Sequence, residues 1–225
     1  MIEAVVFDLD GVLLDTEELW DEARRQIADE RGGRWPKNAQ RAMMGMSSRE
    51  WSRYMHEEVG VPDPPEHISA EVVRRLESLY RERLPLIPGA LDAVQRIGAR
   101  WPLAIASSSN RPLIDLFLEL TGTAQTFRAT ASSEEVECGK PAPDVYLEAA
   151  RRLDIDPGRC AAVEDSENGL RSAAAAGMKV IAMPNAVFPP SDEAVALAAG
   201  VLGSLDELRP ELVEALAQEG LAEHG

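Results

Sequence analysis

Apolar positions along this chain follow two different rhythms. From residue 88 onward, short apolar runs alternate with stretches of helical periodicity. The runs PLAIAS (102–107), FRATA (127–131), RCAAV (159–163) and KVIAM (179–183) are separated by amphipathic segments around 111–121, 143–153 and 167–176. That alternation predicts βαβ units and a parallel sheet. The opening run EAVVF (3–7) supplies a further strand, so the expected fold class is α/β, a Rossmann-like doubly wound core of at least five strands. Pro112 suits the first turn of a helix that opens at Arg111.

Residues 17–84 break the rhythm. They carry helical periodicity at about 17–31, 37–43, 48–59 and 67–83 with no convincing strand, and PDPPEH (62–67) punctuates the last two. This predicts an α-helical unit inserted after the first strand, with exits at Asp15-Thr16 and near Leu86–Ala90, where Pro88-Gly89 marks a turn. The expected organisation is a core domain of residues 1–15 and 88–225 with a helical cap domain of residues 16–87. The segment 202–220 reads as a final strand end and a closing amphipathic helix.

Composition narrows the partners. At 225 residues and 45% hydrophobic content, the chain buries one good core plus a small inserted unit. Its 39 acids against 23 bases give a net charge of −16, and the arginines are scattered singly or in pairs such as Arg24-Arg25, Arg74-Arg75 and Arg151-Arg152. A chain so charged repels nucleic acid and anionic membrane, yet a few local cations still suffice for a small anion. Cys138 and Cys160 form no metal-site spacing, and His56, His67 and His224 lie far apart. With no apolar stretch of membrane length, the expectation is a cytoplasmic protein, monomeric because a lid must move over its core. The lysines are only Lys37, Lys140 and Lys179, against twenty arginines.

The chemistry concentrates where predicted strands end. A strand EAVVF delivers Asp8 and Asp10, followed by Gly11, to its carboxyl end, where open α/β sheets place their active sites. Two carboxylates crowded there call for a cation or a shared proton. LAIASSSN (103–110) ends a second strand on Ser107, and its hydroxyls suit either an ordinary helix cap or phosphoryl oxygens at a helix start. GKPAPDVY (139–146) sets Lys140 before two prolines and a helix that begins at Pro143 or Asp144. AAVEDSENG (161–169) ends a further strand on Glu164-Asp165, with Asp165 or Ser166 positioned to cap the next helix.

DLDGVLLDT, ASSS, GKPAPD and VEDS, in this order and over nearly the whole predicted core, resemble the four motifs of the haloacid dehalogenase superfamily, in its β-phosphoglucomutase and phosphoglycolate phosphatase-like subgroup. The resemblance implies a Mg²⁺-dependent phosphatase acting on a small phosphorylated metabolite such as a sugar phosphate or phosphoglycolate. It implies that Asp8 is the nucleophile forming an aspartyl-phosphate, and that Asp10 is the acid and base whose backbone carbonyl also binds metal. Asp8, Asp10, Glu164 and Asp165 would hold Mg²⁺, while Ser107, Lys140 and the backbone around Leu9 and Ser108 would bind phosphoryl oxygens. Dehalogenating relatives lack an acid corresponding to Asp10. Phosphonate-cleaving relatives use a cap lysine, whereas the only lysine of residues 17–87 is Lys37, in an unmatched PKN turn.

The alternative within the subgroup is a sugar phosphate mutase, in which a cap arginine near Arg49 binds a distal phosphate. GMSSREW (45–51) carries one residue more than the mutase pattern. Trp20 also replaces the mutase's cap histidine, and Leu76 falls where the mutase offers a lysine, which favours hydrolysis. Trp20, Arg49 and Asn110 are the candidate substrate residues, with Trp51, Arg53 and Glu167 as further neighbours; Trp51 at helical spacing also reads as core. A non-catalytic member of the fold has little reason to keep Asp8, Asp10, Lys140 and Asp165 together.

Overall fold

The structure, a computed structural model, describes residues 1–44 and 46–216. Its strands are β1 (Ala4–Phe7), β2 (Leu103–Ser107), β3 (Phe127–Ser132), β4 (Cys160–Glu164), β5 (Lys179–Ala182) and β6 (Gly200–Val201). They form one parallel sheet in the order β3-β2-β1-β4-β5-β6. Five helices of the described residues stand between β1 and β2: α1 (Glu17–Glu30), α2 (Ala39–Met43), α3 (Ser48–Glu57) and α4 (Pro65–Glu82) in the inserted segment, then α5 (Ala90–Gly98). Helices α6 (Arg111–Thr121), α7 (Asp144–Leu153), α8 (Glu167–Ala175), α9 (Asp192–Val195) and α10 (Pro210–Ala215) follow among the described residues.

Six strands exceed the minimum of five that periodicity predicts. The last, β6, ends just before Leu202 rather than after it, and α10 realises part of the closing helix; residues 217–220 of that expectation lie outside the described residues. The strand limits differ from expectation by one residue, because Ser132 and Glu164 continue their ladders with Ser107 and Ala182.

Period-two alternation sorts the sheet into two unlike faces. Val5, Phe7, Leu103, Ile105, Phe127, Val163 and Ile181 join a large apolar cluster with α1, α3, α4, α5 and α6, and Phe7 meets Phe127 edge to face at 6.3 Å. The opposite face presents Ala4, Ala104, Ala106, Ala129, Ala131, Ala162 and Ala182. These small residues receive α7 and α8 through their own alanines, Ala149, Ala150 and Ala173. β1 is buried on both faces, as a central parallel strand requires.

The helical segment leaves and rejoins the sheet through one paired connection. Leu14 bridges Leu86, the Asp15 amide donates to Pro85 O at 2.8 Å, and the Ile87 amide donates to Leu13 O at 3.0 Å. Helix α3 starts on a capping box in which Ser47 and Glu50 satisfy each other's backbone amides.

Cys160 sits inside β4, where burial pushes its thiol up to about 11, whereas Cys138 is exposed. Iodoacetamide at pH 8 is therefore expected to label Cys138 within minutes and to reach Cys160 only after denaturation, read by peptide mass spectrometry.

Candidate active site

β1 lies where the strand order reverses, with β2 on one side and β4 on the other. Phe7 pairs with both Ile105 and Val163, so the residues that follow all three strands arrive at one edge. There the carboxylate oxygens of Asp8, Glu164 and Asp165 lie within 4.8 Å of one another, all buried.

Lys140, from the loop ahead of α7, enters this cluster. Its Nζ is 2.9 Å from Asp8 Oδ1 and 2.5 Å from Glu164 Oε1. Burial works to lower the Lys140 pKa, but Asp8 and Glu164 outweigh it and hold the ammonium above its ordinary value. Three carboxylates face one ammonium. Burial, reinforced by Glu164 and a second acid, Asp10 for Asp8 and Asp8 for Asp165, raises Asp8 and Asp165 well above the usual carboxylate range, and Lys140 only partly offsets this for Asp8.

Glu164 behaves differently. Burial would raise it, but Lys140 overcomes that and keeps its pKa below the usual value. Oε1 accepts from Lys140 and from the Tyr146 hydroxyl at 3.0 Å; Oε2 accepts from the Asp165 amide, the Ser166 amide and Ser166 Oγ at 2.9–3.2 Å. Its acceptor capacity is filled by the protein. Asp165 Oδ1, by contrast, is buried without a hydrogen bond, while Oδ2 accepts from Asn185 Nδ2 at 3.3 Å. The carboxylate of Asp165 stands over Gly11, whose φ of +86° and lack of a side chain are both required there.

Asp10 is held by donors from both sides of the cleft. Thr16 Oγ1 at 2.5 Å and Trp20 Nε1 at 3.3 Å reach Oδ1 from the helical segment, and Ser109 Oγ donates to Oδ2 at 2.5 Å from the loop after β2. Trp20, a candidate substrate residue from the sequence, lines the cavity and also donates a hydrogen bond to Asp10. Ser107 is fully buried; its Oγ accepts from the Ser109 amide at 2.9 Å and makes a long 3.5 Å contact to Asp10. Its hydroxyl serves Asp10 and the loop turn, and Asn110 at the start of α6 makes no side-chain cap bond, so the simple capping reading of SSSN is not realised.

These groups line one small cavity of about 50 Å³, room for a few waters or a phosphoryl group. Asp8, Asp10, Ser108, Ser109, Lys140, Asp165 and Ser166 form its floor, and Glu17, Trp20, Arg24, Met43, Met44, Met46 and Trp51 its roof. Ser109 and Ser166 escape a reading of strand ends because they sit one turn beyond them. Ser166 also settles the cap of α8, accepting from the Gly169 amide at 3.1 Å. Leu9 is buried in the apolar cluster, leaving its backbone as the part available to the site.

Two expected substrate residues lie elsewhere. Arg49 is exposed and Asn110 is buried, and both line a second, outer cleft between α3, α4 and residues 133–139. There Asn110 Nδ2 and Ser48 Oγ both donate to Glu134 Oε1, at 2.7 and 3.0 Å, tying helical segment to sheet. Arg53 is exposed, and Glu167 pairs with Arg171 and Ser191, away from the cavity. No helix among the described residues is long and apolar enough to cross a membrane.

Comparison with known proteins agrees with the family resemblance and the fold. The family model for haloacid dehalogenase-like hydrolases matches residues 2–177. A probable pseudouridine-5'-phosphatase of Drosophila melanogaster is 34% identical over 213 residues, covering 92% of this chain and 91% of the relative. Hexitol phosphatase B of Escherichia coli K12 is 33% identical over 222 residues, covering 92% and 94%. Among solved structures, a mutant CbbY from Rhodobacter sphaeroides in complex with xylulose-(1,5)bisphosphate superimposes with a TM-score of 0.82 at 32% identity, covering 92% of this chain and 96% of that one.

A Cβ on Gly169 would overlap the Glu164 carboxylate. Gly169→Ala is expected to dislodge Glu164 from Lys140 and to lower the unfolding free energy by about 2–3 kcal/mol in denaturant titrations, since a buried charge loses its partner.

Proposed function

Since the chain belongs to the haloacid dehalogenase-like hydrolase family, we propose that it is a Mg²⁺-dependent phosphatase that hydrolyses a small phosphomonoester through a phosphoryl group carried on Asp8. The observation behind this reading is the meeting of Asp8, Asp10, Lys140 and Asp165 in one roofed cavity. Relatives named as phosphatases of small phosphorylated compounds support it.

The residues fit a divalent cation. Three buried carboxyl groups converge beside one ammonium, their crowding raises Asp8 and Asp165, and Asp165 Oδ1 is buried without a partner, a strain that a cation among them would relieve. Asp8, Asp165 and the Asp10 backbone carbonyl would hold the ion, an all-oxygen set of the kind Mg²⁺ takes. Glu164, saturated by Lys140, Tyr146 and two amides, acts from behind as their positioning partner. When bound, the ion supplies neutralisation of charge on the transferring phosphoryl group.

The chain's own groups account for the rest. A carboxylate oxygen of Asp8 attacks phosphorus as the ester P–O bond breaks, and Asp10 gives its proton to the leaving alkoxide. Asp10 then takes a proton from water; that water oxygen attacks phosphorus, the Asp8–phosphorus bond breaks and inorganic phosphate leaves. Lys140 and the amides of the Leu9 and Ser108 loops stabilise the phosphoryl oxygens, the dominant contribution in such transfers. Residues 16–87 would serve as the cap: Thr16 and Trp20 donate to Asp10 from the helical segment over the cleft, an arrangement that would couple proton transfer to exclusion of water. The position of Arg49 in the outer cleft, away from Asp8, supports hydrolysis over the phosphoglucomutase alternative, which would use that arginine for a distal phosphate.

In ³¹P NMR with Mg²⁺ and a pool of phosphomonoesters, inorganic phosphate is expected to grow at the expense of one or a few esters. Asp8→Asn is expected to slow this about 10⁴-fold or more, and EDTA to stop it until Mg²⁺ is restored. Conversion of β-glucose 1-phosphate to the 6-phosphate without phosphate release would contradict hydrolysis. Trp20→Phe keeps an aromatic wall but removes the donor to Asp10; kcat is expected to fall about threefold to tenfold with a smaller change in KM, measured by phosphate release.

A further inference from the structure

Arg24 on α1 is a buried cation whose partner is missing. Its side chain is 5% exposed and lines the roof of the cavity that holds Asp8 and Lys140. The guanidinium carbon lies 4.5 Å from the Trp20 ring centroid and 4.8 Å from that of Trp51, wedged in the corner the two rings make edge to face. Its one hydrogen bond among the described residues runs from Nη1 to Gln40 Oε1, at 3.3 Å. Nε is buried with no partner, and no carboxylate of the described residues makes an ion pair with the group. Burial lowers its pKa to about 10, against Glu17, Asp10 and Asp21, so it is charged at neutral pH.

Buried charges are ordinarily paired, and an arginine left with one neutral, long hydrogen bond is costly. The two rings flank the guanidinium, and the cavity that Arg24 lines is where an acceptor bound with the substrate can reach it. Resting on the phosphatase reading above, we propose that Arg24 is the subsite for a carboxylate of the substrate, so that the ester turned over is a small phosphorylated hydroxy acid. A carboxylate matches the planar guanidinium fork in shape and in single charge. A second phosphate would bring two charges to one cation that already faces three acids, Glu17 being linked to it through the amide of Gln40.

The test is a ratio within each variant. kcat/KM is measured in Mg²⁺ for 3-phosphoglycerate and for glycerol 3-phosphate, which replaces the carboxylate by a hydroxymethyl group. The same is done for fructose 1,6-bisphosphate and fructose 6-phosphate. The wild type is expected to favour 3-phosphoglycerate about tenfold or more; Arg24→Met, which keeps the length of the chain, should bring the ratio near one, and Arg24→Lys should fall between. Thermal melts establish that both variants are folded. A wild-type ratio near one, or an unchanged ratio in Arg24→Met, overturns the assignment. A preference for the bisphosphate that disappears in Arg24→Met overturns it in favour of a second phosphate. Calorimetric titration of Asp8→Asn with 3-phosphoglycerate and glycerol 3-phosphate separates the two readings. Selective binding of the first, lost when Arg24→Met is added, upholds the subsite even where no ester is hydrolysed and the phosphatase reading fails. Equal binding of both removes the subsite while leaving hydrolysis to stand.

Discussion

The ammonium of Lys140 between Asp8 and Glu164 is the contact on which the site depends. At the carboxyl edge of a parallel sheet, one cation bridges two of three acids that would otherwise repel one another in a medium with little water. Its neighbours follow from that position. Glu164 must be ionised to hold Lys140, so the Tyr146 hydroxyl, the Asp165 and Ser166 amides and Ser166 Oγ converge on it. Gly169 must lack a side chain to leave Glu164 its room. Asp165 Oδ1 stays buried without a hydrogen bond, and in the proposed mechanism that is where a divalent ion would bind.

Asp10 joins this floor to the helices above it. Its two carboxylate oxygens are divided between the helical segment, through Thr16 and Trp20, and the loop after β2, through Ser109. A carboxylate held from both sides responds to any opening of the cleft, because parting the helices removes half of its donors. The helical segment is joined to the sheet by the paired connection at Leu14 and Leu86 and by the hydrogen bond from Ser48 to Glu134. Acid chemistry and enclosure are thereby one arrangement in this proposed mechanism.

The sheet and its acids are legible in the sequence because parallel strands buried on both faces leave continuous apolar runs, and polar residues at their ends have no packing role. EAVVFDLD and CAAVED show this most plainly, and the order of the motifs brings Asp8, Lys140 and Asp165 together before any coordinate is known. The roof is less legible, since tertiary packing rather than local pattern decides which helix face turns inward. Arg49 and Arg24 are equally charged and equally helical; the crossing of α3 over the cleft sends one outward and leaves the other inside. The spacing of Trp20 and Arg24, four residues apart on one helix, is the signal that could have singled out the second. Trp20 reads as apolar because its indole N–H needs a partner that only the fold supplies, and Ser109 is hidden by the cap-like run in which it sits.

The most direct test of the central claim is acid quenching of the enzyme during turnover of a hydrolysed ester, followed by digestion and mass spectrometry. The account predicts a phosphoryl group on the peptide carrying Asp8, converted to homoserine at that position by borohydride and absent from Asp8→Asn. Phosphate release in which no phosphorylated peptide is trapped, or in which the group is found on another residue, would contradict it.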